Sequence, residues 1–279
     1  MTTTLRPTGP IQHGAGGAKS RQYRVCVNSR PVGTIELCTD HRFGPSVGRI
    51  ASLRIDEQDR RRGRATVAVL AAEEVLRGWG CTRVEASITA QAAAARHLAS
   101  ALGYVVRSRN MLKRLPVEPP SLPADSEGRP MSGPEYELWI ERTRQGYVRS
   151  LMGRGIPEDQ ARAKSESDHS SALPDGRHTP DTYLGVLLHD GTQVGTLWVA
   201  LRPVRPGMPG AFVFDVEVAA EHRGRGHGRA LMLLAERETR AAGVAELGLN
   251  VFADNTPAVR LYESLGYETT DYHLYKQLL

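Results

Sequence analysis

The chain repeats itself. VGTIEL at residues 32–37 returns as VGTLWV at 194–199, RRRGRA at 60–65 as RGRGHG at 223–228, and LGY at 102–104 as LGY at 265–267. The first match is offset by 162 residues and the other two by 163, and Lys113 meets Lys276 at that same offset. Matches in one order at one spacing mark two copies of one fold rather than two unrelated α/β units. The chain must therefore build the same architecture twice, and 279 residues suffice for two domains.

Punctuation sets the boundaries. Residues 1–20 are polar and rich in Gly, Thr and Pro, which predicts a disordered leader. Residues 116–134 hold six prolines and predict a stiff linker. Between and beyond lie a first copy at 21–115 and a second at 135–279. Each reads as a hairpin (23–27 with 32–37; 183–188 with 194–201), a third strand (47–55; 211–218) and a Gly/Arg loop. A helix follows (66–77; 229–242), with Gly78 and Gly243 placed as C-caps. A short strand (83–88; 246–251), a second helix (257–265 in the second copy) and a closing strand complete the pattern. Sheets with helices between the later strands give an α/β (α+β) fold with ligands at strand ends. The second copy alone carries leading helices, over 135–152 (apolar Leu138, Tyr147, Leu151) and 156–170, so the first copy is truncated.

No apolar run approaches the ~20 residues of a membrane span, and the first 20 residues lack a signal-peptide core. Three cysteines (Cys26, Cys38, Cys81) form no CxxC pair, which predicts a reducing, cytoplasmic setting without a metal. Charge is uneven: residues 1–115 carry 19 Lys/Arg against 8 Asp/Glu, and the remainder 17 against 23. A basic half suits nucleic acid, a phosphate-bearing ligand or a solvated surface. No series of stacking aromatics accompanies the arginines, so nucleic acid is disfavoured.

A strand, then Arg-x-x-Gly-x-Gly/Ala, then a helix is a phosphate-binding arrangement. Glycines let backbone N–H groups approach an anion, and the helix start adds its dipole. The second copy reads Arg223, Gly224, Arg225, Gly226, His227, Gly228, Arg229; the first reads Arg60, Arg61, Arg62, Gly63, Arg64, Ala65. Neither is a Walker or GxGxxG loop. From Asn255 the chain runs Asn-Thr-Pro-Ala-Val-Arg-Leu-Tyr-Glu-Ser-Leu-Gly-Tyr to Tyr267. Loop and later motif together resemble the GNAT superfamily of acetyl-CoA-dependent N-acetyltransferases over residues 183–279, and the two-copy layout is similar to tandem members such as mycothiol synthase.

The resemblance implies two tandem domains, each a mixed, mostly antiparallel twisted sheet flanked by helices. It implies acetyl-CoA as co-substrate. Residues 223–229 would take the pyrophosphate, the backbone of Val216 and Val218 the pantetheine, and Asn255 would lie on the cofactor side. Tyr262 matches the tyrosine that protonates the leaving thiolate, although a packed aromatic is the alternative. Asp215 and Glu217 interrupt an apolar strand, where unpaired acids are costly, and either is a candidate general base or a structural partner of an arginine. His222 and His227 read as surface residues. With Gly103 aligned to Gly266, the first copy has Ala92 for Asn255, Ala99 for Tyr262, and Ser52 and Arg54 for Asp215 and Glu217. It is expected to be inactive, with a possible second cofactor site at Arg60, Arg62, Gly63, Arg64 and Ala65. The expected partner is a primary amine on a small molecule or peptide. The other readings are a non-enzymatic CoA-binding regulator and a module for an anionic partner.

Overall fold

The computed structural model describes residues 3–39, 46–153, 156–205 and 207–278, and the chain divides into two compact units. Unit 1 holds Met1–Asn110, Phe252–Asp254 and Thr269–Leu279; unit 2 holds Met111–Val251 and Asn255–Glu268. The first copy supplies β1 (Thr3–Pro7), β2 (Gln12–His13), β3 (Lys19–Val27), β4 (Arg30–Thr39), β5 (Val47–Ile55), α1 (Arg64–Gly78), β6 (Arg83–Thr89), α2 (Ala93–Ala101) and β7 (Val105–Arg114). The rest supplies β8 (Ser126–Pro130), α3 (Gly133–Met152), α4 (Glu158–Ala172), β9 (Thr182–His189), β10 (Thr192–Leu201), β11 (Ala211–Val218), α5 (His227–Ala241), β12 (Glu246–Phe252), α6 (Thr256–Ser264) and β13 (Glu268–Gln277).

Both units show the expected mixed sheet with flanking helices. In unit 1 the strand order is β1-β3-β4-β5-β6-β13; β5 and β6 are parallel and the other paired strands antiparallel among the described residues. In unit 2, β8-β9-β10-β11-β12 repeats the scheme; β11 and β12 are parallel and the other paired strands antiparallel among the described residues. Period-2 alternation sends one strand face to a helix. Leu197, Val199 and Val213 meet Leu231, Leu234 and Ala235 of α5, while Leu184, Val186 and Trp198 meet Trp139 and Ile140 of α3. Ile35 and Leu37 in unit 1 pack with Ala68, Ala72 and Leu76 of α1. Among the described residues no helix is long and apolar enough to cross a membrane.

The third strand carries the same irregularity in both copies. Trp198 pairs with Asp215 but Val199 with Val213, so Phe214 is an extra residue; Glu36 pairs with Ser52 but Leu37 with Ile50, so Ala51 is extra. A bulge shifts the alternation by one residue. Val213 therefore faces α5, whereas Asp215 faces the α3 side with Trp198. The parallel ladders also stop early, at Val213↔Leu249 and Ile50↔Ala86, although the strands continue. Each unit thus holds a wedge between its third and fourth strands.

The last strands are exchanged. β13 of the second copy completes unit 1 beside β6, where Leu278 N–H donates to Thr82 O at 2.8 Å. The end of β7 joins unit 2, where Leu115 N–H donates to Ala245 O at 2.8 Å. Shifting the first bond by 163 residues and swapping the copies gives the second. The exchange carries charge with it. Lys276 Nζ meets Glu73 Oε2 at 2.7 Å in unit 1, and Lys113 Nζ meets Glu236 Oε1 at 2.7 Å and Oε2 at 2.8 Å in unit 2. The folded units therefore do not coincide with the sequence copies at 21–115 and 135–279.

Four local expectations are corrected. Residues 3–7 of the leader are not disordered: β1 covers the edge of β3 in register Thr3↔Val27 to Pro7↔Tyr23, and Leu5 packs on the core; residues 1 and 2 lie outside the described set. The Pro-rich linker contains β8, the matching edge strand on β9. The left-handed residue after α1 is Gly80 (φ 88°), not Gly78, which ends the helix. On α3 the buried residues are Trp139, Ile140 and Leu151, and Leu138 is exposed.

Candidate active site

The site grows from the end of β11. After Val218 the chain turns through residues 219–226 into α5, and Arg223 Nε donates to Val218 O at 3.1 Å, closing the loop on its own strand. In unit 1, Arg60 Nε donates to Ile55 O at 3.0 Å in the same way. The first arginine of each motif is thus tied to the backbone. Gly226 precedes α5 with φ 89°, and Gly63 precedes α1 with φ 72°. An L-residue with a Cβ pays ~1–2 kcal/mol in this left-handed conformation. The turn leaves the first amides of α5, at His227 and Gly228, without intrahelical acceptors, aimed at any anion in the loop. A Cβ at Gly228 would meet Leu261 Cδ2 at 3.2 Å, so glycine also allows α5 to approach α6.

Other motif residues have structural partners. Arg229 Nη2 donates to Ser264 Oγ at 2.6 Å, joining α5 to α6. Asn255 Oδ1 accepts from Ala258 N–H at 3.3 Å and caps α6. Arg225 is exposed, and Val216 and Val218 pack partly on the α5 core. His227 is buried, not a surface residue, within a cluster with His189 (ring centroids 4.8 Å) and His222 (6.2 Å). Burial first, then these neighbours, holds its pKa down and keeps it neutral.

The chemistry-bearing groups lie around the wedge. Tyr262 on α6 is 6 % exposed, beside Tyr267 at 6.0 Å between rings. Burial, and next the charge of Asp215, pushes its pKa up to about 12, so the phenol keeps its proton at neutral pH. Asp215 accepts from Trp139 Nε1 at 3.2 Å. Its pKa is raised, by burial first, with the Trp139 bond opposing and Glu217 adding to the rise. Glu217 lies on the same face, opposite Thr196, and is exposed. The structure thus brings Tyr262 and Asp215 within electrostatic reach and leaves Glu217 toward solvent. Sequence reasoning missed Trp139, which fixes Asp215, and Trp198, which meets Trp139 edge-on at 5.6 Å and stacks on Phe214 at 4.6 Å.

α3 supplies Trp139 from a defined start. Ser132 and Glu135 form a capping box, and Arg129 makes two bonds to Glu135, at 2.8 and 2.7 Å. Arg129 first, with the Ser132 bonds, lowers the Glu135 pKa to about 2. The Ser-x-x-Glu spacing was a sequence signal for this start. Among the described residues no cluster of His, Cys, Asp and Glu could hold a metal.

The profile of the acetyltransferase (GNAT) family matches residues 10–104 and 142–267, one stretch in each copy. A mycothiol acetyltransferase of Mycobacterium ulcerans is 30 % identical over 239 residues, covering 79 % of this chain and 71 % of that protein. An uncharacterized N-acetyltransferase of Bacillus subtilis, YycN, is 32 % identical over 152 residues, 53 % of this chain and 96 % of its own. Among solved structures, a tandem GNAT protein from the clavulanic acid biosynthesis pathway covers 96 % of this chain, with 85 % of its own covered, at TM-score 0.52 and 18 % identity. That likeness concerns the fold.

Proposed function

The chain belongs to the acetyltransferase (GNAT) family in tandem form, and from that premise we propose that unit 2 moves an acetyl group from acetyl-CoA to a primary amine of a small molecule or peptide. What carries the reading is the grouping of a left-handed Gly226 turn with open helix-start amides, a wedge beyond Val213, and Tyr262 beside Asp215. The loop fits the diphosphate of coenzyme A, because the first amides of α5 and the positive end of its dipole meet at the Gly226 turn. The unpaired edge of β11 beyond Val213 fits the amide-bearing pantetheine arm. When bound, acetyl-CoA supplies a thioester carbonyl open to attack.

Each residue then has one task. Asp215, sheltered and held by Trp139, takes the proton that an ammonium must lose before it has a lone pair, directly or through water. Its raised pKa brings it nearer to neutral pH, where a base works best. Tyr262 keeps its proton and offers it where a thiolate would depart. A thiol (pKa ~8.5) against a phenol raised above ~10 makes this transfer positional rather than strongly driven. Buried His227 and Arg229, which bonds Ser264 of α6, hold the loop in place. Unit 1, with Ala99 and Ser52 in place of Tyr262 and Asp215, lacks both proton-handling groups. A reducing, cytoplasmic setting agrees with three cysteines joined by no disulfide among the described residues.

The test is release of free thiol from acetyl-CoA in the presence of an amine panel: aminoglycosides, polyamines, amino sugars, peptide N-termini and lysine peptides. At least one class should accelerate release; failure of every amine, with no affinity for acetyl-CoA, would end the proposal.

A further inference from the structure

The bulge at Phe214 does more than turn Asp215 toward α3. Two residues of β11 oppose one of β10 there, so Phe214 and Asp215 both come to the α3 side. The Phe214 ring stacks on Trp198 at 4.6 Å, and Trp198 packs on Trp139, whose indole N–H reaches Asp215. Ala211 and Val213 pack toward α5, which leaves Phe212 on the α3 side as well. Phe212 meets Phe214 edge-on at 5.3 Å. The Arg202 guanidinium lies over both rings, 5.5 Å from Phe212 and 5.3 Å from Phe214. One face of β11 therefore presents, in order, a cation, two aromatic rings, Asp215 and Glu217.

The cationic end is open. Arg205 pairs with Glu246, whereas Arg202 is exposed and forms no ion pair among the described residues. Stacking occupies the flat face of a guanidinium. Its five N–H donors lie in the plane and stay available to a carboxylate. Phe214 keeps 36 % of its surface exposed, although it adjoins the buried Trp198. An exposed ring between a cation and a sheltered acid suits an apolar body with opposite charges at its two ends. Arg142 of α3, also exposed, is the other cation whose charge Asp215 feels.

We infer that the amine accepted by unit 2 is a zwitterion: its ammonium meets Asp215, its apolar body lies on Phe214, and a carboxylate at its far end is held by Arg202. This rests on the acetyl-transfer reading for the amine end and narrows it. Polyamines and aminoglycosides would bring a second cation against Arg202 and are disfavoured, because like charges repel there.

Matched probes isolate the far end: 4-(aminomethyl)benzoate, its neutral analogue 4-(aminomethyl)benzamide, and 1,4-bis(aminomethyl)benzene. Acetylation by the full chain gives kcat/KM for each, and ligand-detected NMR titration gives affinity without turnover. An exposed ion pair is worth up to about fivefold, so the benzoate should lead the benzamide by at least about threefold in both measurements. Arg202→Gln, at an exposed side chain, should bring that ratio to about one. Arg202→Glu should turn the preference toward the diamine. A wild-type ratio under about threefold, a ratio that survives R202Q, or a ratio lost with Arg142→Gln and kept with R202Q would overturn the inference. Acetyl transfer without the ratio removes this inference alone. The ratio in binding, with no amine acetylated, removes the acetyl-transfer reading alone.

Discussion

Replacing Lys113 with Met probes the exchanged strand at its costliest point. Glu236 is fully buried in α5, and Lys113 reaches both its carboxylate oxygens and also lies over the Tyr267 ring at 5.6 Å. Methionine keeps the apolar stem and removes the charge. A buried ion left without its partner costs about 3–5 kcal/mol. At about 2–4 °C per kcal/mol for a body of this size, the unit 2 transition should fall by roughly 6–20 °C. Trp139 and Trp198 both lie in unit 2 and Trp79 in unit 1, so fluorescence at selected wavelengths separates less well than single-Trp variants, which should be used. Adding Glu236→Gln to Lys113→Met removes the orphaned charge and should restore most of the loss. The double-mutant cycle then measures the coupling. A loss under about 1 kcal/mol, or a double variant no more stable than the single, would refute the claim that the exchanged lysine neutralises Glu236. Lys276→Met should act on unit 1 through Glu73 in the same way.

Four further outcomes follow from the site. Asp215→Asn should lower acetyl transfer by about 10²–10⁴-fold, the range for a lost acid–base group, in steady-state assays. The same variant should melt higher at pH 7: the folded carboxyl binds its proton more tightly than the unfolded one, so wild-type stability falls as pH rises past ~3.9, and Asn removes that cost. In wild-type enzyme, kcat/KM should climb with pH through a step above the usual carboxylate range and hold until Tyr262 ionises near its raised pKa of about 12, as a pH–rate series would show. Gly226→Val, forced into φ 89°, should weaken acetyl-CoA binding by calorimetry at least about tenfold, with a stability loss of about 1–2 kcal/mol.

Much of the fold was written locally. The third strands were legible to the residue, because alternating apolar positions and a Gly/Arg turn bound them at 47–55 and 211–218. Helix α5 followed from the Gly/Arg loop before it and Gly243 after it, and α6 from Pro257 near its start. What periodicity cannot say is which sheet a strand joins. β7 and β13 were legible as strands, and Lys113 and Lys276 as counterparts, but their acidic partners Glu236 and Glu73 lie 123 and 203 residues away. The leader and linker were misread because short polar edge strands lack a strong pattern: Pro7 and Pro130 end β1 and β8 at positions where an edge tolerates proline. At the site, Asp215 and Tyr262 were legible from composition and motif. Their surroundings were not, since one bulge residue, Phe214, decides which face Asp215 takes, and Trp139 reaches it from another element.

The most direct trial of the central claim compares wild type with Tyr262→Phe, measuring acetyl-CoA affinity and amine acetylation on the same preparations. The account predicts acetyl-CoA affinity preserved within about twofold while turnover falls by about 10- to 10⁴-fold. Turnover that survives the loss of the hydroxyl, with acetyl-CoA bound as before, would contradict it.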